Sequence, residues 1–217
     1  MNWSKSEGPR GYHHGNLREA LVRAALELIA QKGASGFTFA EAARFAGVSP
    51  AAPYRHFRDR DDLMAEVARR GFEALEAALA TAWGKGGPDP RAALERLGRT
   101  YLTFARTEPA YYAAMFEAGV PLDANPDLAA ASDRAFALLR MAAEATTAAL
   151  PALTRPPALM MALHIWSLAH GIAALFARAD GARRNLPMSP EDLLEAGILI
   201  YLQGLGDPAR GSYTPSL

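Results

Sequence analysis

From Leu17 to Leu205 the apolar residues of this chain recur three and four positions apart, in stretches separated by glycine and proline. Nowhere does an apolar–polar alternation of period two persist, and no Asn-Gly hairpin turn joins two such stretches. The spacing therefore predicts an all-α chain of about nine helices. In the first, Leu17, Leu21, Ala24, Ala25, Leu28 and Ile29 share a face up to Gly33. With half of its 217 residues apolar, the chain has material for a sizeable core and is expected to be ordered except at its ends. It has no cysteine, which excludes a disulfide framework and thiol chemistry and fits a reducing cytoplasm. Met1 to Gly15 is polar and lacks the apolar segment of a signal peptide, so the expected location is cytoplasmic.

The most specific stretch runs from Phe37 to Phe57. Thr38 and Glu41 have the spacing of a capping box, so a short helix should start there. Ala42, Ala43 and Ala46 are small enough for another helix to pack closely, and Gly47 supplies a left-handed turn. Ser49 is then placed to cap a second helix with Pro50 at its first position. Helix, glycine turn and helix within some twenty residues is the pattern of a helix-turn-helix. A helical hairpin buried in an all-α core has the same outline. The second helix argues against burial, because it has almost no large apolar side chain before Phe57. It offers Ser49, Tyr54, Arg55 and His56 to phosphates or base edges, and small Pro50, Ala51 and Ala52 would let its backbone approach a major groove.

Overall charge is zero, but it is unevenly distributed. Residues 1–60 contain nine Lys and Arg against five Asp and Glu, whereas residues 61–217 contain fourteen against eighteen. A basic first third joined to an acidic remainder fits a chain whose N-terminal part alone faces a polyanion.

These residues carry a resemblance. Thr38 to Phe57, with its Tyr-Arg-His-Phe ending and the following Arg58-Asp59-Arg60-Asp61-Asp62-Leu63, resembles the DNA-binding domain of TetR-family transcriptional regulators. The likeness runs from about Tyr12 to Ala68. Pro53 departs from it, standing where the family more often has leucine or isoleucine; a stiffened but continuous helix is expected. The organisation implied is a flexible arm over residues 1–11, a three-helix DNA-binding domain over 12–60, and a ligand-binding and dimerisation domain over 61–217. Thr38 (through its backbone), Tyr54, His56 and Arg60 are assigned to phosphates, and Ser49, Pro50, Ala51, Ala52 and Arg55 to the groove.

Farther along, Asp61 and Asp62 open a helix that continues to about Trp83, where Gly84-Lys85-Gly86-Gly87-Pro88 breaks it. This glycine run lacks the spacing of a phosphate-binding loop and no strand precedes it, so it reads as a turn. Further helices are expected from Pro90 to about Arg106, from Pro109 to Gly119 and from Asp127 to Leu150. Tyr101, Phe104, Tyr111, Tyr112, Met115, Phe116, Phe136 and Leu139 form the aromatic and Met-containing cluster most suited to a ligand cavity, although the same residues at helical spacing equally make plain core.

Residues 156–177 contain no charged side chain. The length suits a membrane span, but His164, Ser167, His170 and Gly171 lie within it and its neighbours are amphipathic, so burial on both sides is the reading adopted. Within it, Trp166-Ser167-Leu168-Ala169-His170-Gly171 resembles the Trp-x-x-x-His-Gly signature of one class of TetR-type C-terminal domain, adding Trp166 and His170 to the ligand candidates. His170 reads either as a ligand or pH-sensing group or, more simply, as a hydrogen-bonded interior histidine. Ser189-Pro190 opens the last helix. Two wide-faced helices suggest a four-helix dimer interface, with Leu168, Ile172, Leu175, Ile198, Tyr201 and Leu202 as candidates.

The resemblance implies a homodimer that binds a palindromic operator and releases it on binding a small, largely apolar effector, with the helix at 61–83 tilting to carry the signal. The alternative is an all-helical small-molecule-binding protein without sequence-specific DNA binding. No nucleophile elbow, His-Glu-x-x-His, di-iron carboxylate–histidine repeat or cofactor loop is present, so no enzyme and no cofactor are expected. His13 and His14 lack partners in a ligand pattern, so no metal site is expected either.

Overall fold

A computed structural model of the chain describes residues 17–87, 89–152, 155–177 and 187–206. The expected arm over 1–11, the Asn16 cap, the histidine pair, most of the loop before Ser189 and the tail after Gly206 lie outside the described residues. Within them the chain forms eight α-helices and no strand: α1 Leu17–Lys32, α2 Phe39–Phe45, α3 Arg60–Trp83, α4 Pro90–Thr107, α5 Pro109–Phe116, α6 Pro126–Ala148, α7 Ala158–Ala177 and α8 Pro190–Gly206.

Helix starts follow local capping chemistry. Thr38 Oγ1 accepts the Glu41 N–H at 3.2 Å, and the Glu41 carboxylate accepts the Thr38 N–H at 2.8 Å, which closes the capping box. Asp59, Asp89, Asn125 and Ser189 accept backbone N–H groups at the starts of α3, α4, α6 and α8. Gly47 turns the chain after α2 with φ of 74°, a conformation that costs a side-chain-bearing residue steric strain.

The expected second helix of the helix-turn-helix is not α-helical. Ala52–Arg55 forms a single 3₁₀ turn, and Ser49 makes no side-chain cap there. An α-helical register would need the Pro53 N–H, which does not exist; instead the chain tightens, with Ala52 N–H donating to the Ser49 carbonyl at 3.0 Å and His56 N–H to Pro53 at 2.9 Å. Pro53 itself is buried.

Around this turn, α1 and α2 close a small core in which Leu21, Ala25, Leu28, Ala42, Phe57 and Leu63 are buried. α3 is shared between this bundle and the rest of the molecule, packing against α1 as well as α4, α5 and α6. α7 packs on α4 and α6, and α8 on α4 and α7. α7 is long and apolar enough to cross a membrane. Here Met161, Ala162, Ile165, Ala169 and Ile172 are buried in the bundle, while Leu159, Leu163 and Leu175 keep much of their surface exposed.

Candidate functional site

Two features stand out: the outer surface of the helix-turn-helix and a cavity in the larger bundle. On the first, Ser49, Pro50, Ala51, Tyr54 and Arg55 are exposed, and Ala52 and His56 half-buried. Tyr54 is 63% exposed and held edge-on against Phe39, ring centroids 5.1 Å apart, so its hydroxyl projects from a fixed base. The Arg55 side chain has no hydrogen bond or ion pair among the described residues, and neither has that of exposed Arg44 on α2, a cation that sequence reasoning misses because it lies outside the turn.

Two expected phosphate contacts are used otherwise. Arg60 is turned inward: its guanidinium lies 4.9 Å from the Phe37 ring centroid, Nε donates to the Phe37 carbonyl at 3.0 Å, and the other arm reaches the Ala34 carbonyl. The Thr38 N–H is taken by Glu41 within the capping box, and the Lys32 ammonium beside it holds the Glu41 carboxyl down at about 2. Arg60 therefore fixes the loop before α2 onto the start of α3, and Thr38 fixes the start of α2 itself.

Between this surface and the larger bundle lies a cluster of charges. Glu66 on α3 is 6% exposed and meets Arg69 at 2.9 Å, Arg70 at 2.8 Å and, from α1, Arg18 at 3.0 Å. Arg70 also takes a two-pronged bond to Glu19 of α1 at 2.5–2.6 Å. Burial would raise the Glu66 carboxyl, but bonds from Arg69, Arg70 and Arg18 overcome it and hold the group at about 2. One residue on, a Cβ at Gly71 would lie 2.7 Å from Met115 Sδ and 3.2 Å from Tyr111 Cβ, so a side chain there would have to push Met115 and Tyr111 of α5 aside.

The cavity encloses about 340 Å³. Phe72, Leu75 and Leu79 of α3, Leu97, Gly98 and Tyr101 of α4, Met115 and Phe116 of α5, Ser132, Asp133, Ala135, Phe136 and Leu139 of α6, and Leu163, Ile165, Trp166 and Ala169 of α7 line it, with Leu122 from the loop before α6. Six expected residues thus meet there: Tyr101, Met115, Phe116, Phe136, Leu139 and Trp166. Tyr112 and His170 stand behind the wall. The Tyr101 hydroxyl lies 2.7 Å and the Tyr112 hydroxyl 3.2 Å from His170 Nδ1, and Phe116 and Trp166 pack on the same imidazole. Burial lowers the His170 pKa and raises those of both tyrosines, which favours a neutral ring and protonated hydroxyls in this cluster. This is the hydrogen-bonded interior histidine. Phe104 and Tyr111 are not at the cavity; they border a shallow groove with Thr100 and Thr103. The contribution of α3 escapes the sequence because Phe72, Leu75 and Leu79 read as ordinary core spacing.

The dimer candidates separate as well. Ile172, Ile198 and Leu202 are buried within the single chain, and Leu168 fills the space over Gly197. Tyr201 is half-buried, with its hydroxyl 3.2 Å from His164 Nδ1. Leu175 of α7 is exposed, as are Leu199 and Ile200 of α8.

Comparison with known proteins bears on both features. Residues 21–67 match the family model of bacterial regulatory proteins of the tetR family, and residues 94–200 that of the tetracyclin repressor-like C-terminal domain. The chain belongs to the TetR family. Its regulators are DNA-binding proteins rather than enzymes, and this chain is a helix-turn-helix transcriptional regulator. An uncharacterized HTH-type transcriptional regulator of Haemophilus influenzae is 43% identical over 61 residues, 28% of this chain and 30% of that protein; the chain thus matches less than a third of that curated relative's length. A protein of unknown function from Rhodococcus sp. RHA1 shares the fold over 92% of this chain and all of its own, with 30% identity and a TM-score of 0.74. The TetR-family regulator PfmR from Thermus thermophilus (20% identity, 84% and 97% covered, TM-score 0.63) is similar in fold. So is the fatty acid degradation regulator FadR from Bacillus halodurans (12%, 96% and 100%, TM-score 0.65). In this TetR-family chain, the motif covered by the first model is the surface bearing Ser49, Tyr54 and Arg55, and the second model covers most of the cavity.

Proposed function

We propose that this regulator is a cytoplasmic homodimeric repressor that binds a palindromic operator and lets go when a small apolar molecule fills the cavity among α3–α7. The reading includes a DNA-binding bundle ending near residue 60, an effector and dimerisation domain beyond it, and a C-terminal half of the Trp-x-x-x-His-Gly class; Trp166 at the cavity and His170 behind it support the last. Tyr54 and His56 hold phosphates, while Ser49, Pro50, Ala51, Ala52 and Arg55 face the groove floor, with Arg44 as a further phosphate contact. Two such surfaces in a dimer reach successive major grooves about 34–36 Å apart or somewhat farther.

The observation that carries the reading is the placement of α3. Phe72, Leu75 and Leu79 line the cavity, and one turn or two back along the same helix Glu66 and Arg70 are fastened to α1. A ligand that pushes Phe72 or Met115 moves α3 and α5 together across the close contact at Gly71, and α1 follows through its ion pairs. That is a two-state rigid-body coupling.

A gel shift with the DNA upstream of the protein's own gene tests it. Binding should be specific and weaken with salt, and replacing Tyr54 and His56 together should lower affinity for operator and unrelated DNA alike and flatten the salt dependence. An unchanged salt slope overturns the docking assignment. Absence of any specific shift on that or other promoter DNA leaves an all-helical binding protein instead.

A further inference from the structure

The cavity has a one-sided charge character. Five aromatic rings, those of Phe72, Tyr101, Phe116, Phe136 and Trp166, contribute to its wall, and no lysine, arginine or histidine does. Its deep polar atoms are already matched to one another, since the Tyr101 hydroxyl is bonded to His170. The polar residues of the lining left for a ligand are Ser132 and Asp133 on α6. Asp133 is exposed, and its side chain has no hydrogen bond or ion pair among the described residues. The adjacent Arg134, which would be its natural neutraliser, reaches across to Glu76 at 2.9 Å and Glu73 at 3.7 Å.

This lining discriminates by charge. An anionic ligand would give up hydration among apolar walls and meet only a like charge at the rim. A cation would meet the negative faces of several rings and a free carboxylate, two interactions that an uncharged molecule of the same shape cannot make. We propose that the cavity takes lipophilic aromatic monocations, amines or quaternary ammonium compounds of one or two rings. The rings lie between α3, α5 and α7 and the positive charge is turned towards Asp133. The proposal rests on the reading of this cavity as the effector site.

Three naphthalene probes separate the possibilities by calorimetry on the full-length protein: 2-naphthylmethyl-trimethylammonium, its isostere 2-neopentylnaphthalene, in which carbon replaces the nitrogen, and the 2-naphthylacetate anion, which keeps the ring and linker. The cation should bind about three- to tenfold more tightly than its carbon isostere and the anion most weakly, with the cation's advantage shrinking as salt rises. Asp133→Asn should lower the ratio of cation to neutral affinity, leaving only the part the rings supply. Equal or tighter binding of the neutral probe, or a ratio untouched by Asp133→Asn, overturns the charge assignment while leaving the cavity as the effector site. Leu139→Trp, which fills the cavity, should abolish binding of all three; binding that survives it, or no binding by any probe to the wild type, overturns the cavity reading itself.

Discussion

A long polar side chain on a surface-capable position does not declare its direction in the sequence, and Arg60 shows what that costs. Its guanidinium covers the Phe37 ring and its N–H groups satisfy the carbonyls of Ala34 and Phe37, closing the loop after α1 onto the first turn of α3. Arg60→Met keeps the apolar stem and removes these bonds, so stability should fall by about 1–3 kcal/mol. Because Arg60 makes no phosphate contact in this arrangement, the slope of log affinity against log salt for operator binding should stay as in the wild type. A phosphate ligand would lower that slope by about one. Denaturation and salt titration of the same variant therefore separate the two roles. Tyr54 and Arg55 are readable as outward groups because their stretch has almost no large apolar side chain to bury before Phe57. Arg60 is not, since its two carbonyl acceptors lie 23 and 26 residues earlier in the chain.

Among elements, those with local signals are legible and those fixed at a distance are not. Thr38 and Glu41 mark the start of α2, and Asp61 and Asp62 sit in the first turn of α3 as their spacing indicates. The 3₁₀ turn at Ala52–Arg55 is within reach too, since Pro53 withholds the N–H that an α-helical turn needs; what hides it is that first-turn prolines are usually harmless. The Glu66 cluster is half visible, with Arg69 and Arg70 three and four residues on, but only the packing of α1 adds Arg18 and Glu19. Its energetics are testable by pH. The folded-state carboxyl titrates at about 2, below its ordinary value of 4.5, so its stabilisation is fully present above about pH 4.5 and is lost as pH falls towards 2. Glu66→Gln should cost about 2–3 kcal/mol near neutrality and leave three guanidinium groups short of a partner. In urea unfolding, the gap between wild type and variant should narrow as pH is lowered below about 4.5. Parallel curves would mean that Glu66 contributes through packing alone.

At the scale of the molecule, the remaining question is which face of α7 and α8 meets a second copy. Periodicity shows both helices to be apolar nearly all round, and so cannot separate the inward face from the outward one. The fold makes that division: Ile172, Ile198 and Leu202 are spent on the single chain, whereas Leu175, at 56% exposure, and Ile200, at 68%, face outward. A charge at Leu202 would consequently unfold the chain before it tested any interface. Ile200→Glu is the discriminating change, because its side chain has little to lose in the isolated chain and, under twofold symmetry, appears twice in the pair. Sedimentation should show the dimer dissociation constant rising at least about tenfold, the outcome of placing unpaired carboxylates in an apolar contact, while the thermal midpoint of the dissociated chain stays within a degree or two of the wild-type monomer. Operator affinity should fall with the dimer, and raising the protein concentration should restore it, because each recognition surface is intact and only their spacing is lost. A variant that remains a DNA-competent dimer at low concentration would move the interface off α8 and leave the exposed part of α7, around Leu175, to supply it.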